Sequence, residues 1–344
     1  MKLLTIIGAR PQFIKAATLS RLIRDRSDIS EVIVHTGQHY DPNMSAVFFD
    51  ELDIPQPDYN LEIGGLSHGA MTGRQLERIE SVLQKEKPDL VIVYGDTNST
   101  LAGTLAAVKE QIPVAHVEAG MRSFNRKMPE EINRVLTDHA SDLLFAPTPA
   151  AVKNLELEGL GERCFYVGDV IYDAALYYEQ RAEAKSGILD TIGLHPGKFI
   201  LTTIHRAEIT GDSDYLQTLF NELLELNHLH PIVLPLHPRT RKQLLNTSIF
   251  NTLEKEMIIT EPVGYLDMVQ LEKEALLIIT DSGGVQREAF FHRTPCVTVR
   301  EETEWTELVK LGWNHLLPRK RLPELVPVCL SRIKHVGADN NIFG

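Results

Sequence analysis

Three carboxylates and one glycine-rich turn are the residues of this chain best placed to do chemistry. Asp96 follows the apolar run Leu90–Tyr94 in Gly95-Asp96-Thr97-Asn98-Ser99-Thr100, and Glu118 follows the next run in His116-Val117-Glu118-Ala119-Gly120-Met121-Arg122. Each acid stands where a strand pattern gives way to a helical one. A carboxylate there can take or give a proton, and two of them opening on one crevice suit chemistry that needs more than one proton-transfer group. Asp96, followed by good N-cap residues, would also serve as a plain helix cap. A third acid, Glu130, lies in Met128-Pro129-Glu130-Glu131-Ile132-Asn133-Arg134, where Pro opens a helix and acids in its first turn suit the dipole. Glu130 and Arg134 are four apart on one helix face, so an ordinary ion pair accounts for them equally well.

Cations and phosphate-binding turns sit at other strand ends. In Gly8-Ala9-Arg10-Pro11-Gln12-Phe13-Ile14-Lys15 the first strand passes into a helix, and Arg10 and Lys15 can both address an anion near that helix start. Neither GxGxxG nor GxxxxGK[ST] occurs, so this is not a dinucleotide or P-loop fingerprint. Thr202-Thr203-Ile204-His205-Arg206 leaves His205 at a strand end, and Leu236-His237-Pro238-Arg239 repeats the arrangement. The sharpest signal is Thr280-Asp281-Ser282-Gly283-Gly284-Val285-Gln286-Arg287-Glu288. There the Ser282 hydroxyl and the exposed N–H groups of Gly283 and Gly284 can hold phosphate, and Glu288, about one turn into the helix, can accept from ribose hydroxyls.

These residues need a scaffold of strands ending on a common edge. Short β-branched runs at Leu3–Ile7, Val32–His35, Leu90–Tyr94, Val114–Val117 and Leu143–Phe145 each precede an amphipathic stretch, which is the pattern of a parallel, doubly wound α/β sheet. A second series runs through Phe199–Ile204, Ile232–Pro235, Met257–Thr260, Leu276–Thr280 and Cys296–Val299. Between them, Ala174–Ala184 reads as helix and leads into polar Asp190–Lys198. We therefore expect a first Rossmann-like domain over 1–173 carrying the carboxylates, a junction over 174–198, and a second Rossmann-like domain over 199–344. In such sheets ligands gather at the carboxyl ends of the strands.

Composition narrows the class. The 344 residues exceed what one small core needs, and no apolar run approaches the length of a membrane helix. A net charge of −12 argues against a nucleic-acid surface but not against one anionic small molecule held by local cations. The N-terminus reaches Gly-Ala-Arg-Pro too early for a secretory signal, and Cys164, Cys296 and Cys329 lack disulfide or zinc spacing, so a cytoplasmic, metal-free protein is expected.

Taken in order, Gly8-Ala9-Arg10-Pro11, Thr36-Gly37-Gln38-His39, Gly95-Asp96-Thr97, His116-Val117-Glu118-Ala119-Gly120, Pro129-Glu130-Glu131-Ile132-Asn133-Arg134 and Asp281-Ser282-Gly283-Gly284 resemble the non-hydrolysing UDP-N-acetylglucosamine 2-epimerases from residue 1 to about residue 335. The resemblance implies a GT-B architecture, two Rossmann-like domains facing across a UDP-binding cleft, usually as a homodimer. It implies epimerisation at C2 of a UDP-linked 2-acetamido sugar without NAD or metal, by expulsion of UDP to a 2-acetamidoglucal and its re-addition, for surface polysaccharide synthesis. It further implies Asp96, Glu118, Glu130 and His205 as catalytic groups, and Arg10, Lys15, Arg134, Tyr265, Ser282, Gly283, Gly284 and Glu288 as substrate- or UDP-binding ones.

The chain also departs from the family pattern. Thr303-Glu304-Trp305-Thr306-Glu307 places Trp305 where an Arg is usual, Arg287 stands where an acid is common, and the Ser123–Met128 segment is short. These features resemble the branch acting on UDP-2,3-diacetamido-2,3-dideoxyglucuronate, whose carboxylate could pair with Arg126, Lys127 or Arg287. Tyr40-Asp41 after Gln38-His39 replaces the Arg of substrate-activated relatives, which argues against such activation. The family continues into a last helix beyond the position of Asn341-Ile342-Phe343-Gly344, so part of a crossover is expected to be missing. A GT-B glycosyltransferase, a hydrolytic relative and a non-catalytic UDP-sugar sensor are the competing readings. The first requires an acceptor, the second releases free sugar, and the third binds without turnover.

Overall fold

The computed structural model describes residues 1–38, 51–317 and 321–332. His39, Tyr40, Asp41 and Asn341–Gly344 lie outside the described residues. The chain divides into two compact units, one built on Met1–Ala174 and the other beginning at Ala175.

Among the described residues the first unit carries β1 (Lys2–Ile7), β2 (Ser30–His35), β3 (Tyr59–Asn60), β4 (Leu90–Tyr94), β5 (Val114–Val117), β6 (Leu143–Ala146) and β7 (Cys164–Tyr166), in the order β3-β2-β1-β4-β5-β6-β7. The second carries β8 (Ile200–Thr203), β9 (Ile232–Pro235), β10 (Ile258–Thr260), β11 (Leu277–Thr280), β12 (Cys296–Thr298) and β13 (Asn314–Leu316), in the order β10-β9-β8-β11-β12-β13. Every pairing is parallel. Both sheets therefore have the Rossmann-like, doubly wound order, with the chain reversing its direction of travel beside β1 and beside β8. The edge strands β3, β7 and β13 are not anticipated from the sequence, because a strand of two or three residues shows too little periodicity.

The interior strands are mostly apolar because helices cover both faces. In the first unit these include α1 (Arg10–Arg24), α2 (His68–Glu86), α3 (Asn98–Lys109), α4 (Pro129–Ala140) and α5 (Pro149–Leu157); α6 (Val170–Lys185) contains the division between units. In the second, α7 (Ser213–Asn227), α8 (Tyr265–Glu274), α9 (Gly283–Phe291) and α10 (Leu322–Arg332) do the same. Ile79, Val82 and Leu83 of α2 and Ala102 and Ala106 of α3 cover Leu4, Ile6, Val91 and Val93. Leu216, Leu219, Phe220 and Leu223 of α7 cover Ile200, Ile232 and Leu234. Among the described residues no helix is long and apolar enough to cross a membrane.

One packing detail makes stability depend on pH. His292 closes α9 with its side chain buried, and neither ring nitrogen has a hydrogen-bond partner among the described residues. Burial pushes its pKa from 6.5 down to about 4, the attraction of Glu179 opposing this only in part and Lys273 adding to it. Above 6.5 the ring is neutral whether the chain is folded or not. As pH falls below 6.5 the unfolded chain takes up the proton first, so up to roughly 3 kcal/mol of stability is lost as pH approaches 4. Denaturant melts between pH 7 and pH 4 should show this loss in the wild type and a flatter profile in His292→Leu; parallel profiles would remove the assignment.

Candidate active site

The candidate residues of the first unit lie at the ends of β1, β4 and β5, side by side in the sheet. Glu118 directly follows β5 and is held at φ +73°, a left-handed conformation costly for a residue with a Cβ. Its peptide is fixed there because the N–H groups of Glu118 and Ala119 both donate to the Phe145 carbonyl, at 3.1 and 3.0 Å. The Glu118 carboxylate pairs with the Lys15 ammonium, which reaches it from the second turn of α1 and is itself buried. Gly95 makes room for that ammonium: its φ is +62°, and a Cβ placed on it would stand 3.0 Å from Lys15 Nζ. Lys15 thus occupies the space between the turns that follow β4 and β5.

Asp96, half-buried, pairs with Arg134 of α4, whose other nitrogen lies 3.1 Å from Glu131. Its backbone carbonyl accepts from Asn133 Nδ2 at 2.9 Å. The i,i+4 spacing of Glu130 and Arg134 suggests a pair between those two, but the partners the structure gives Arg134 are Asp96 and Glu131. Glu131 also anchors backbone. Its two oxygens accept from the Ser123 N–H, the Ser123 hydroxyl and the Phe124 N–H, each at 2.9 Å, and so tie down the loop between Glu118 and α4. Glu130 is half-buried and makes no ion pair or hydrogen bond among the described residues. Arg10 is the first residue of α1, half-buried, although the N–H groups of Gly8 and Ala9 are already taken by Gln12 Oε1 at 2.8 and 3.0 Å.

Behind this row lies a buried set of charges. His116 on β5 is fully buried, with Nδ1 2.7 Å from Asp138 Oδ1 and Nε2 2.7 Å from the Gly95 carbonyl. Asp138 Oδ2 accepts from Arg122 Nη1 at 2.6 Å and from the Gly120 N–H at 3.0 Å. Arg122 then grips Glu158 through Nε and Nη2, at 2.8 and 2.7 Å. Burial pushes the Asp138 pKa up, but His116 and Arg122 outweigh it and hold the group below the usual carboxylate range.

In the second unit the residues lie at the ends of β8 and β11. Ser282 is the N-cap of α9. Gly283 is tight against Glu304, and a Cβ there would meet that carboxylate. Glu288, buried beneath Gly284, accepts from the Tyr265 hydroxyl at 3.2 Å. Burial, reinforced by the Glu288 charge, pushes the Tyr265 phenol well above its ordinary range, so it remains a donor. Asp281 is fully buried and its Oδ2 accepts from the His205 and Arg206 N–H groups, both at 2.7 Å. His205 Nδ1 stands 3.1 Å from Asp281 Oδ1 without the alignment of a hydrogen bond, and its ring packs on His237. Burial pushes the Asp281 pKa up, yet His205 and the two N–H groups bring it below the usual range.

The substituted positions also have a structural account. Arg287 is buried, its guanidinium 4.1 Å from the centre of the buried Trp305 ring, in a cation–π contact. It is engaged inside its own unit. Arg126 and Lys127 are exposed. Asn133, Glu131, Asp138 and Asp281 are the positioning residues that sequence reasoning leaves out. Asp281 carried a signal as an acid directly after a strand, and Glu131 and Asn133 only as members of a motif that resembles the family. Among the described residues no cluster of three or more His, Cys, Asp or Glu side chains is arranged to hold a metal.

Residues 21–326 match the model of the UDP-N-acetylglucosamine 2-epimerase family. The chain is 51% identical over its whole length to the UDP-2,3-diacetamido-2,3-dideoxy-D-glucuronate 2-epimerase of Pseudomonas aeruginosa, 96% of which is covered. It is 46% identical to the UDP-N-acetylglucosamine 2-epimerase of Methanocaldococcus jannaschii, with 96% of this chain and 93% of that protein covered. The crystal structure of UDP-GlcNAc 2-epimerase from the same organism, in complex with UDP-GlcNAc and UDP, superposes with a TM-score of 0.92 at 44% identity, covering 100% of this chain and 96% of that one. With two parallel, doubly wound sheets and matches that run the length of the sequence, the chain belongs to the non-hydrolysing UDP-N-acetylglucosamine 2-epimerase family.

Proposed function

We propose that the protein inverts C2 of a UDP-linked 2-acetamido sugar by eliminating UDP and adding it back. The observation that carries this reading is the row of Glu118 with Lys15 and Asp96 with Arg134 at the ends of neighbouring strands β5 and β4. A proton on C2 of such a sugar is hardly acidic, so loss of the anomeric C–O bond must lead, and charge grows on the departing diphosphate. Cations and helix-start N–H groups fixed in advance stabilise that charge without reorganising. Arg10, Lys15, His205 and the Ser282-Gly283-Gly284 turn are assigned to it. Inversion requires proton transfer on both faces of C2, hence more than one acid–base group, and Asp96, Glu118 and Glu130 are assigned that role. Glu288, Tyr265 and Arg134 complete the nucleotide and substrate contacts. We place the enzyme in the cytoplasm as a homodimer serving polysaccharide precursor synthesis, on the family resemblance.

A second reading, in which the sugar is a 2,3-diacetamido-2,3-dideoxyglucuronate, is favoured by the 51% identity to the Pseudomonas aeruginosa enzyme. One experiment tests both. The protein is incubated with each UDP-sugar in deuterated water, without NAD, and the products are examined at C2. Deuterium at C2 of an inverted product is expected, and the sugar turned over faster identifies the substrate. Inversion with no solvent deuterium would sink elimination, and release of free sugar would point to a hydrolase.

A further inference from the structure

We infer that His116 is held as a doubly protonated imidazolium and acts as the positioning residue that clamps together the two turns carrying Asp96 and Glu118. Both of its ring nitrogens face acceptors. A peptide carbonyl has no hydrogen to give, so the 2.7 Å contact of Nε2 with the Gly95 carbonyl requires a hydrogen on Nε2. Asp138 takes the Arg122 guanidinium and the Gly120 N–H on Oδ2, and the guanidinium at 2.6 Å favours its ionised form, so the hydrogen in the 2.7 Å contact of Oδ1 with Nδ1 belongs to the ring. A neutral ring would set a lone pair against an oxygen lone pair at one of these two short contacts. The charge count agrees: the buried cations His116 and Arg122 meet two anions, the buried Asp138 and the half-buried Glu158, whose outer side faces exposed His139.

The clamp lies beside left-handed backbone. Gly95, Glu118 and Gly120 all have positive φ, at 62, 73 and 80°. Glycine takes such a conformation readily, but Glu118 keeps it only because its surroundings over-determine it. His116 fixes the Gly95 carbonyl, one peptide before Asp96, while its partner Asp138 fixes the Gly120 N–H, two residues after Glu118. One dyad therefore sets the spacing of both acid-bearing turns, and it does so through backbone groups, since its ring nitrogens bond to Asp138 and Gly95.

The inference rests on the reading of Asp96 and Glu118 as proton-transfer groups, and its test separates the two. Protein labelled with 15N-histidine is examined by long-range proton–nitrogen correlation at neutral pH, the His116 ring being assigned by its loss in His116→Gln. Should that variant fail to fold, contacts to Gly95 and Gly120 protons assign the ring. Two protonated nitrogens are expected; one bare nitrogen in an active wild type overturns the inference. In parallel, His116→Gln, which can still donate to one acceptor but carries no charge, should lower kcat by roughly 10²-fold per folded molecule, as small misplacements of reacting groups do. KM and the affinity for free UDP should stay within a fewfold. An unchanged kcat, or a loss shared equally by kcat and UDP affinity, also overturns it. Absence of turnover by the wild type on every UDP-acetamido sugar would instead remove the functional reading.

Discussion

Changing Glu118 to glutamine is expected to lower kcat by ~10²–10⁴-fold while leaving UDP affinity largely intact, because the amide keeps the size of the side chain but can no longer accept a proton. Glu118 is held in a left-handed conformation with its carboxylate on a buried ammonium, so the group is both fixed in place and charge-compensated. Asp96→Asn should behave alike, since Asp96 is oriented by Arg134 and by the Asn133 contact to its carbonyl. Glu130→Gln is the most informative of the three for chemistry alone. Glu130 has no ion pair among the described residues, so its amide should not disturb the fold. In Glu118→Gln, by contrast, Lys15 loses its counter-charge, and part of any effect would be loss of folded protein. Thermal melts therefore accompany the kinetics, with UDP titrated by calorimetry. Near-normal kcat in all three amides would reduce these acids to structural roles.

The second large effect is expected on nucleotide binding. Glu288→Gln should weaken free UDP by roughly 10–100-fold, since a charge-assisted hydrogen bond in a desolvated place contributes ~1.5–3 kcal/mol and each 1.4 kcal/mol is about tenfold. The carboxylate is buried, one oxygen is bonded by Tyr265, and the other lies close to Gly284. UDP and UDP-sugar should lose affinity by the same factor, because a ribose contact does not involve the hexose. Glutamine preserves an acceptor for Tyr265, so stability should change little. Unchanged UDP affinity would remove the ribose assignment, and a loss confined to UDP-sugar would move Glu288 to the hexose.

The strands on either side of each reversal point were legible because their apolar runs are long enough to show a pattern and each ends in residues that chemistry could use. What was not legible depends on distant partners. The sequence spacing of Glu130 and Arg134 favours a local pair, but tertiary packing offers Arg134 the Asp96 carboxylate from another strand end, and the acid that anchors the neighbouring loop is Glu131. His116 is one apolar-flanked residue in a strand until α4 brings Asp138 beneath it. Nothing in the sequence sets Trp305 beside Arg287, and only the fold shows the guanidinium over its ring. Pairings of this kind carry no periodicity, which is why they escape a reading based on pattern.

The all-parallel order of the strands has a consequence for how the chain reaches its native state. No neighbouring strands can be joined by a tight hairpin, and in the central ladder Leu3 lies beside Leu90, with Leu277 beside Ile200 in the second sheet. Each ladder closes only after a long loop has been drawn in, an entropy loss that comes before any contact repays it. During synthesis β1 must wait, apolar and unpaired on one side, until β4 has left the ribosome, and β8 waits likewise for β11. The strands described for the first sheet all lie between Lys2 and Tyr166, so that sheet can form before the second has been made. Substitutions that weaken β4 or β11 should therefore reveal themselves as lost yield in the cell before they appear as a lower melting temperature.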